Sequence, residues 1–178
     1  MSQPAPPGPT PPQGRGVVLL ADDEEAVRQL GRRYLEADGW VVLEAGDGEE
    51  ALEIIESHEG SLRLVVTDLN MPKVSGRELA EVLSIFRPGL PVLGITGFLS
   101  AVSHDRRLPI LPKPFTAGSL LQAVRMACGL SVRLRRPPME NRRRARRLQE
   151  LTPAGTRADL LAAVRTLRTL EGSGRMDL

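Results

Sequence analysis

Cysteine is all but absent. Cys128 is the single one in 178 residues, so neither an intrachain disulfide nor a cysteine metal cluster can form. It reads as a small residue on a helix. Aromatic residues make up only 3%, which leaves an aliphatic core and no platform for stacking bases. No apolar run approaches the ~20 residues of a membrane span. The N-terminus has no basic start followed by an apolar block. These absences predict a cytoplasmic protein with no membrane contact. Histidine is scarce as well: His58 falls on a polar helix and His104 in a loop, both read as surface positions.

What is present is enough for one sizeable core. Hydrophobic residues are 41% of the chain, and the length fits one ordinary domain with an appendage. The net charge of +2 conceals a split. Residues 16–129 carry 11 basic and 17 acidic residues, whereas 130–178 carry 12 basic and 5 acidic. Such asymmetry marks a domain boundary. Residues 1–15 are proline-rich with almost no apolar bulk, and are expected to be disordered. The division predicted is therefore a tail at 1–15, a folded domain at 16–129 and a basic helical extension at 130–178.

Within the domain, apolar β-branched runs alternate with helical periodicity. Strands are expected at Val17–Ala21, Trp40–Ala45, Leu62–Thr67, Leu90–Ile95 and Pro109–Leu111. Helices are expected up to about Asp38, with Gly39 as stop, then at Glu49–His58, Gly76–Phe86 and Ala117–Cys128, with Gly129 as stop. Five β-then-α units predict a doubly wound α/β fold, a five-stranded parallel sheet with helices on both faces. Strands that are apolar throughout suit burial on both sides.

The chemistry-bearing residues stand at strand ends. Asp22 and Asp23 follow the first strand, and Asp68 follows the third. With the flavodoxin-like strand order 2-1-3-4-5, those ends are neighbours at the switch point, where open α/β sheets bind ligands. Three converging carboxylates are costly without a hard cation, and Mg²⁺ takes such oxygen ligands while bridging carboxylate and phosphate. Thr96 follows the fourth strand and Lys113 the fifth. A hydroxyl donor and an ammonium there would suit a phosphoryl group on Asp68, and a carboxylate nucleophile is an established covalent strategy. The plainer reading of the early acids is a helix N-terminus with first-turn carboxylates. It accounts for Glu24 and Glu25, which are left out of the site.

Asp22-Asp23, Asp68 with Asn70-Met71-Pro72 and Gly76, Thr96, and Lys113-Pro114-Phe115 together resemble the receiver domain of two-component response regulators. The resemblance covers about residues 16–129 and is nearest to receivers of hybrid histidine kinases. It implies phosphorelay signal transduction. Asp68 would accept a phosphoryl group from a histidine kinase or phosphotransfer protein. Mg²⁺ would be held by Asp22, Asp23, Asp68 and the backbone carbonyl of Asn70. Thr96 and Lys113 would bind the phosphoryl group. The Lys113–Pro114 bond is cis in the family. Such a domain catalyses only its own phosphorylation and dephosphorylation and is not a turnover enzyme. A haloacid-dehalogenase-like phosphatase is disfavoured, because it needs an Asp where Asn70 stands.

Two features depart from the family pattern. Thr96 and Lys113 are only 17 positions apart, so the intervening helix is expected to shrink to a turn or two. Three residues before the lysine, where the family carries a switch aromatic, stands Ile110. The expected consequence is charging at Asp68 without the usual readout.

The extension carries no recognisable output domain. Arg142, Arg143, Arg144, Arg146 and Arg147 form a basic run, read as a solvated linker helix. The alternative is a DNA-binding regulator whose basic tail contacts phosphates. Thr156 should cap a last helix with Leu160, Leu161, Val164, Leu167 and Leu170 as its apolar stripe, fraying from Gly172. Residues 156–171 would dock on the receiver, self-associate or meet a partner protein.

Overall fold

In the computed structural model, residues 14–58, 62–97, 108–131 and 156–173 are described. Five strands, β1 (Gly16–Ala21), β2 (Trp40–Ala45), β3 (Leu62–Asp68), β4 (Val92–Thr96) and β5 (Ile110–Pro112), form one parallel sheet in the order β2-β1-β3-β4-β5. This is the expected doubly wound architecture. The helices are α1 (Glu25–Ala37), α2 (Gly48–Ser57), α3 (Gly76–Phe86), α4 (Ala117–Ser131) and α5 (Arg157–Ser173).

Side chains alternate across each strand, so each face of the sheet builds its own core. On one face Leu19, Ala21 and Val65 pack with Ala51, Leu52 and Ile55 of α2 and Leu79, Val82 and Leu83 of α3. On the other, Val18, Leu20, Leu64 and Val66 pack with Leu35 of α1 and Leu120 and Val124 of α4. Both cores are aliphatic, with Trp40 the one buried aromatic among the described residues.

Local chemistry starts the helices where the sequence indicates. Asp47 caps α2 by accepting from the amides of Glu49 and Glu50, each at 2.9 Å. Ser75 and Glu78 close a capping box on α3. Thr116 accepts from the Ser119 amide at 3.2 Å, and Thr156 accepts from the Asp159 amide at 3.3 Å.

Some expected boundaries move. Helix α4 runs through Gly129 to Ser131, and α5 runs through Gly172 to Ser173. A glycine in a helix costs about 1 kcal/mol relative to alanine, and neither one ends its helix. Strand β4 begins at Val92, because Leu90 is spent on a turn, its amide donating to the Arg87 carbonyl at 2.9 Å. Strand β5 includes Pro112, tolerated because β5 is an edge strand. Of the stretch expected to be disordered, Arg15 is fastened, its Nε donating to the Asp38 carbonyl at 2.7 Å. Residues 1–13, the shortened segment 98–107 with His104, and the arginine run 142–147 lie outside the described residues.

The extension does dock on the receiver. Leu160, Ala163 and Val164 of α5 are fully buried in the core cluster of the α2–α3 face, with Leu161 partly buried beside them. The side chains of Leu167 and Leu170 lie outside the described set. Among the described residues, no helix is long and apolar enough to cross a membrane.

Candidate functional site

Register brings the strand ends together. Ala21 pairs with Thr67, Asp68 with Ile95, and Thr96 with Pro112. Asp22, Asp68, Thr96 and Lys113 therefore all emerge at the carboxyl edge of the sheet. Asp22, Asp68 and Thr96 are buried, at 0%, 6% and 1% exposure. The Lys113 amide donates to the Thr96 carbonyl at 2.7 Å, and the Lys113–Pro114 peptide bond is cis, as the resemblance implies.

Lys113 reaches from the end of β5 across β4 into this edge. Its Nζ lies 2.6 Å from Asp68 Oδ2, 2.8 Å from Asp22 Oδ2 and 3.1 Å from Glu24 Oε1. Burial alone would lower the lysine pKa. The three carboxylates that face it, Asp22, Asp68 and Glu24, outweigh burial and hold the ammonium well above its ordinary range. Asp22 moves the other way for a carboxyl: burial raises it, against the pull of Lys113 and the Glu24 amide.

The remaining contacts orient the two aspartates. Asp68 Oδ1 accepts from the Asn70 amide at 2.9 Å, and Asp22 Oδ1 accepts from the Glu24 amide at 2.9 Å. Gly76 permits the helix after Asp68 to start close by, since a Cβ there would stand 2.0 Å from the Asp68 carbonyl oxygen. Gly48 plays the same part for α2, where a Cβ would stand 2.0 Å from the Val74 carbonyl.

One carboxylate was set aside in the sequence and belongs here. Asp22, Glu24 and Asp68 each offer an oxygen within 4.8 Å of the others. Glu24 sits on extended backbone (φ −83°, ψ 103°) two residues after Asp22. In extended chain, residues two apart share a face, a signal that the helix-cap reading of Glu24 concealed. Asp23, the residue between them, is exposed and is not part of that trio. Thr96 stands at the edge as expected.

The residues fit a divalent cation. Three carboxylates face one ammonium, so two negative charges are left uncompensated. Asp22 Oδ2 is buried and accepts no hydrogen bond of proper geometry, although Lys113 Nζ lies close to it. The donor set is all oxygen, the set Mg²⁺ prefers.

A doubly wound sheet in the order β2-β1-β3-β4-β5, with buried aspartates at its switch point, places the chain in the flavodoxin-like α/β class. The family model described as the response regulator receiver domain matches residues 18–125. The chain belongs to the response regulator receiver family. It is 37% identical over 117 residues to the sensor kinase CckA of Brucella abortus, covering 63% of this chain and 12% of that protein. The crystal structure of the receiver domain of the hybrid histidine kinase CckA is similar at a TM-score of 0.56, with 35% identity, covering 64% of this chain and 99% of that one. The response regulator TrrA from Thermotoga maritima, in complex with Mg²⁺ and BeF, is similar at a TM-score of 0.57 and 27% identity, covering 63% of this chain and 98% of that one. This chain spans 12% to 55% of the length of curated relatives it matches.

Proposed function

We propose that this protein works in a phosphorelay, with Asp68 accepting a phosphoryl group from a phosphohistidine of a histidine kinase or phosphotransfer protein. A carboxylate oxygen of Asp68 forms the new O–P bond as the donor's P–N bond breaks, and the imidazole leaves with the electron pair. The product is an acyl phosphate on Asp68.

The observation that supports this most is the Lys113 ammonium lodged between Asp68 and Asp22. It stabilises the unreacted carboxylates and stands where negative charge accumulates when the phosphoryl group arrives. Thr96, at the neighbouring strand end, would donate its hydroxyl to a phosphoryl oxygen. Asp22, Asp68, the Asn70 carbonyl and Asp23 would hold Mg²⁺, with Glu24 near enough to join them. Mg²⁺ when bound supplies charge neutralisation to the transferring group. The chemistry is confined to the protein's own modification.

The test is incubation with acetyl phosphate and Mg²⁺, followed by intact mass measurement. The wild type gains one phosphoryl increment and Asp68→Asn gains none. A wild type without the increment contradicts the reading.

A further inference from the structure

The loop between β3 and α3 is held from two sides. One side is the charge cluster at Asp68. The other is α5, whose Leu160, Ala163 and Val164 share a buried cluster with Met71 and Val74 of that loop. Arg168 of α5 completes the contact. Its Nε donates to Glu78 Oε1, and its Nη2 donates to Glu78 Oε2 at 3.0 Å and to the Lys73 carbonyl. Glu78 is the residue that closes the capping box on Ser75. Lys73 adopts φ 62°, left-handed for a non-glycine residue, and its Nζ lies 2.6 Å from Asp47 Oδ2 at the start of α2. Arg168 thus grips two groups whose positions depend on how the chain leaves Asp68.

We propose that the α2–α3 face is a helix-docking surface occupied by α5, and that charging Asp68 weakens this docking and frees the face. The inference rests on the phosphoryl-acceptor reading above. Its sign follows from the geometry. In the unmodified protein Asp68 Oδ1 accepts from the Asn70 amide and Oδ2 from Lys113. Phosphoryl transfer turns the carboxylate into a mixed anhydride and takes its charge off both oxygens, so the Asn70 amide contact that orients the first turn of the loop has to be remade. Arg168 fits Glu78 and the Lys73 carbonyl as they stand before that change. A state shifts only by differential affinity, and here the better fit belongs to the uncharged loop. By linkage, the same factor that Asp68 exerts on α5 is exerted by α5 on Asp68. Residues 132–155 separate α4 from the Thr156 cap, so α5 can leave without disturbing a strand of the sheet.

Hydrogen–deuterium exchange on the full chain tests this, with acetyl phosphate and Mg²⁺ as the charging mixture and intact mass as the check on charging. Exchange across residues 157–173 is expected to quicken about five-fold or more on charging, with β1 and β3 unchanged. Asp68→Asn in the same mixture shows no change, and Arg168→Ala shows the faster α5 exchange without any donor. Unchanged or slower α5 exchange in a chain carrying the phosphoryl increment overturns the inference and leaves the acceptor role standing. So does an Arg168→Ala variant whose α5 exchanges like wild type. A wild type that gains no increment overturns both.

Discussion

Lys113 places its ammonium 2.6 Å from Asp68 Oδ2 from the far side of an intervening strand. The contact spans 45 positions of sequence and joins the edge of the sheet to its centre. The electrostatics of the site turn on this pair.

Removing the ammonium should unbalance the cluster. Lys113→Met leaves Asp22, Glu24 and Asp68 without their cation, and breaking a buried pair in this way costs about 3 kcal/mol. Mg²⁺ should recover much of that, since a ligand at a hundred times its Kd adds about 2.7 kcal/mol. Urea denaturation with and without Mg²⁺ is the check. The expected result is a larger Mg²⁺ stabilisation in Lys113→Met than in wild type, because no ammonium competes for the carboxylates. Equal stabilisation would contradict the competition.

Gly76 is a steric requirement of the site. A methyl group there meets the Asp68 carbonyl at 2.0 Å and Thr67 Oγ1 at 2.8 Å. Gly76→Ala should cost about 2–3 kcal/mol and slow phosphoryl uptake from acetyl phosphate. Gly89, where a Cβ meets nothing within 4 Å, provides the control: Gly89→Ala should stay within about 0.5 kcal/mol. Thermal melts and a time course of mass gain separate the two.

Acid should expose opposing contributions. Burial pushes Glu78 up, but Arg168 and Ser75 together hold it below its ordinary 4.5. Its stabilisation is therefore complete above 4.5 and lost as pH falls through the depressed value. Burial also pushes Asp47 up, and Lys73 with the amides of Glu50 and Glu49 pulls it below its ordinary 3.8, giving the same sign. Asp22, raised by burial above 3.8, has the reverse sign, stabilising below 3.8 and losing that as pH rises through its folded value. Between about pH 5 and pH 3, Glu78→Gln should flatten the acid loss of stability and Asp22→Asn should steepen it. Urea midpoints across that range measure both slopes, and the opposite ranking would refute the assignment.

Ile110 should limit the readout through β5. It stands half-buried opposite Gly94 and has no polar tip to reorient. On charging, amide chemical shifts at Asn70 and Lys73 should move more than those at Ile110 and Leu120. Comparable movement at all four would show that the edge strand still switches.

Much of this was legible because the strands announce themselves. Runs such as Leu64-Val65-Val66 are apolar on both faces, as suits a doubly covered strand, and all but the second strand end at or next to a site residue. Once five such runs alternate with helices, sheet order and strand ends place Asp22, Asp68, Thr96 and Lys113 together. Glu24 was harder to see, because a carboxylate at a helix start has an adequate local explanation. The reach of α4 past Gly129 and of α5 past Gly172 was hidden for a related reason, since glycine weakens a helix without obliging it to stop. The docking of α5 was legible only as an apolar stripe. Its partner was set by Arg168 meeting Glu78 and the Lys73 carbonyl, contacts between residues 90 and 95 positions apart.

Asp68 as phosphoryl acceptor, in a site that depends on a divalent cation, makes a prediction at the level of a single residue. Peptide-level mass spectrometry of protein treated with acetyl phosphate, after borohydride reduction of the acyl phosphate, tests it most directly. The predicted result is a single reduced aspartyl residue at Asp68, abolished when EDTA replaces Mg²⁺. A modification located at His58 or any other residue, or one undiminished by EDTA, would contradict a cation-dependent acceptor at Asp68.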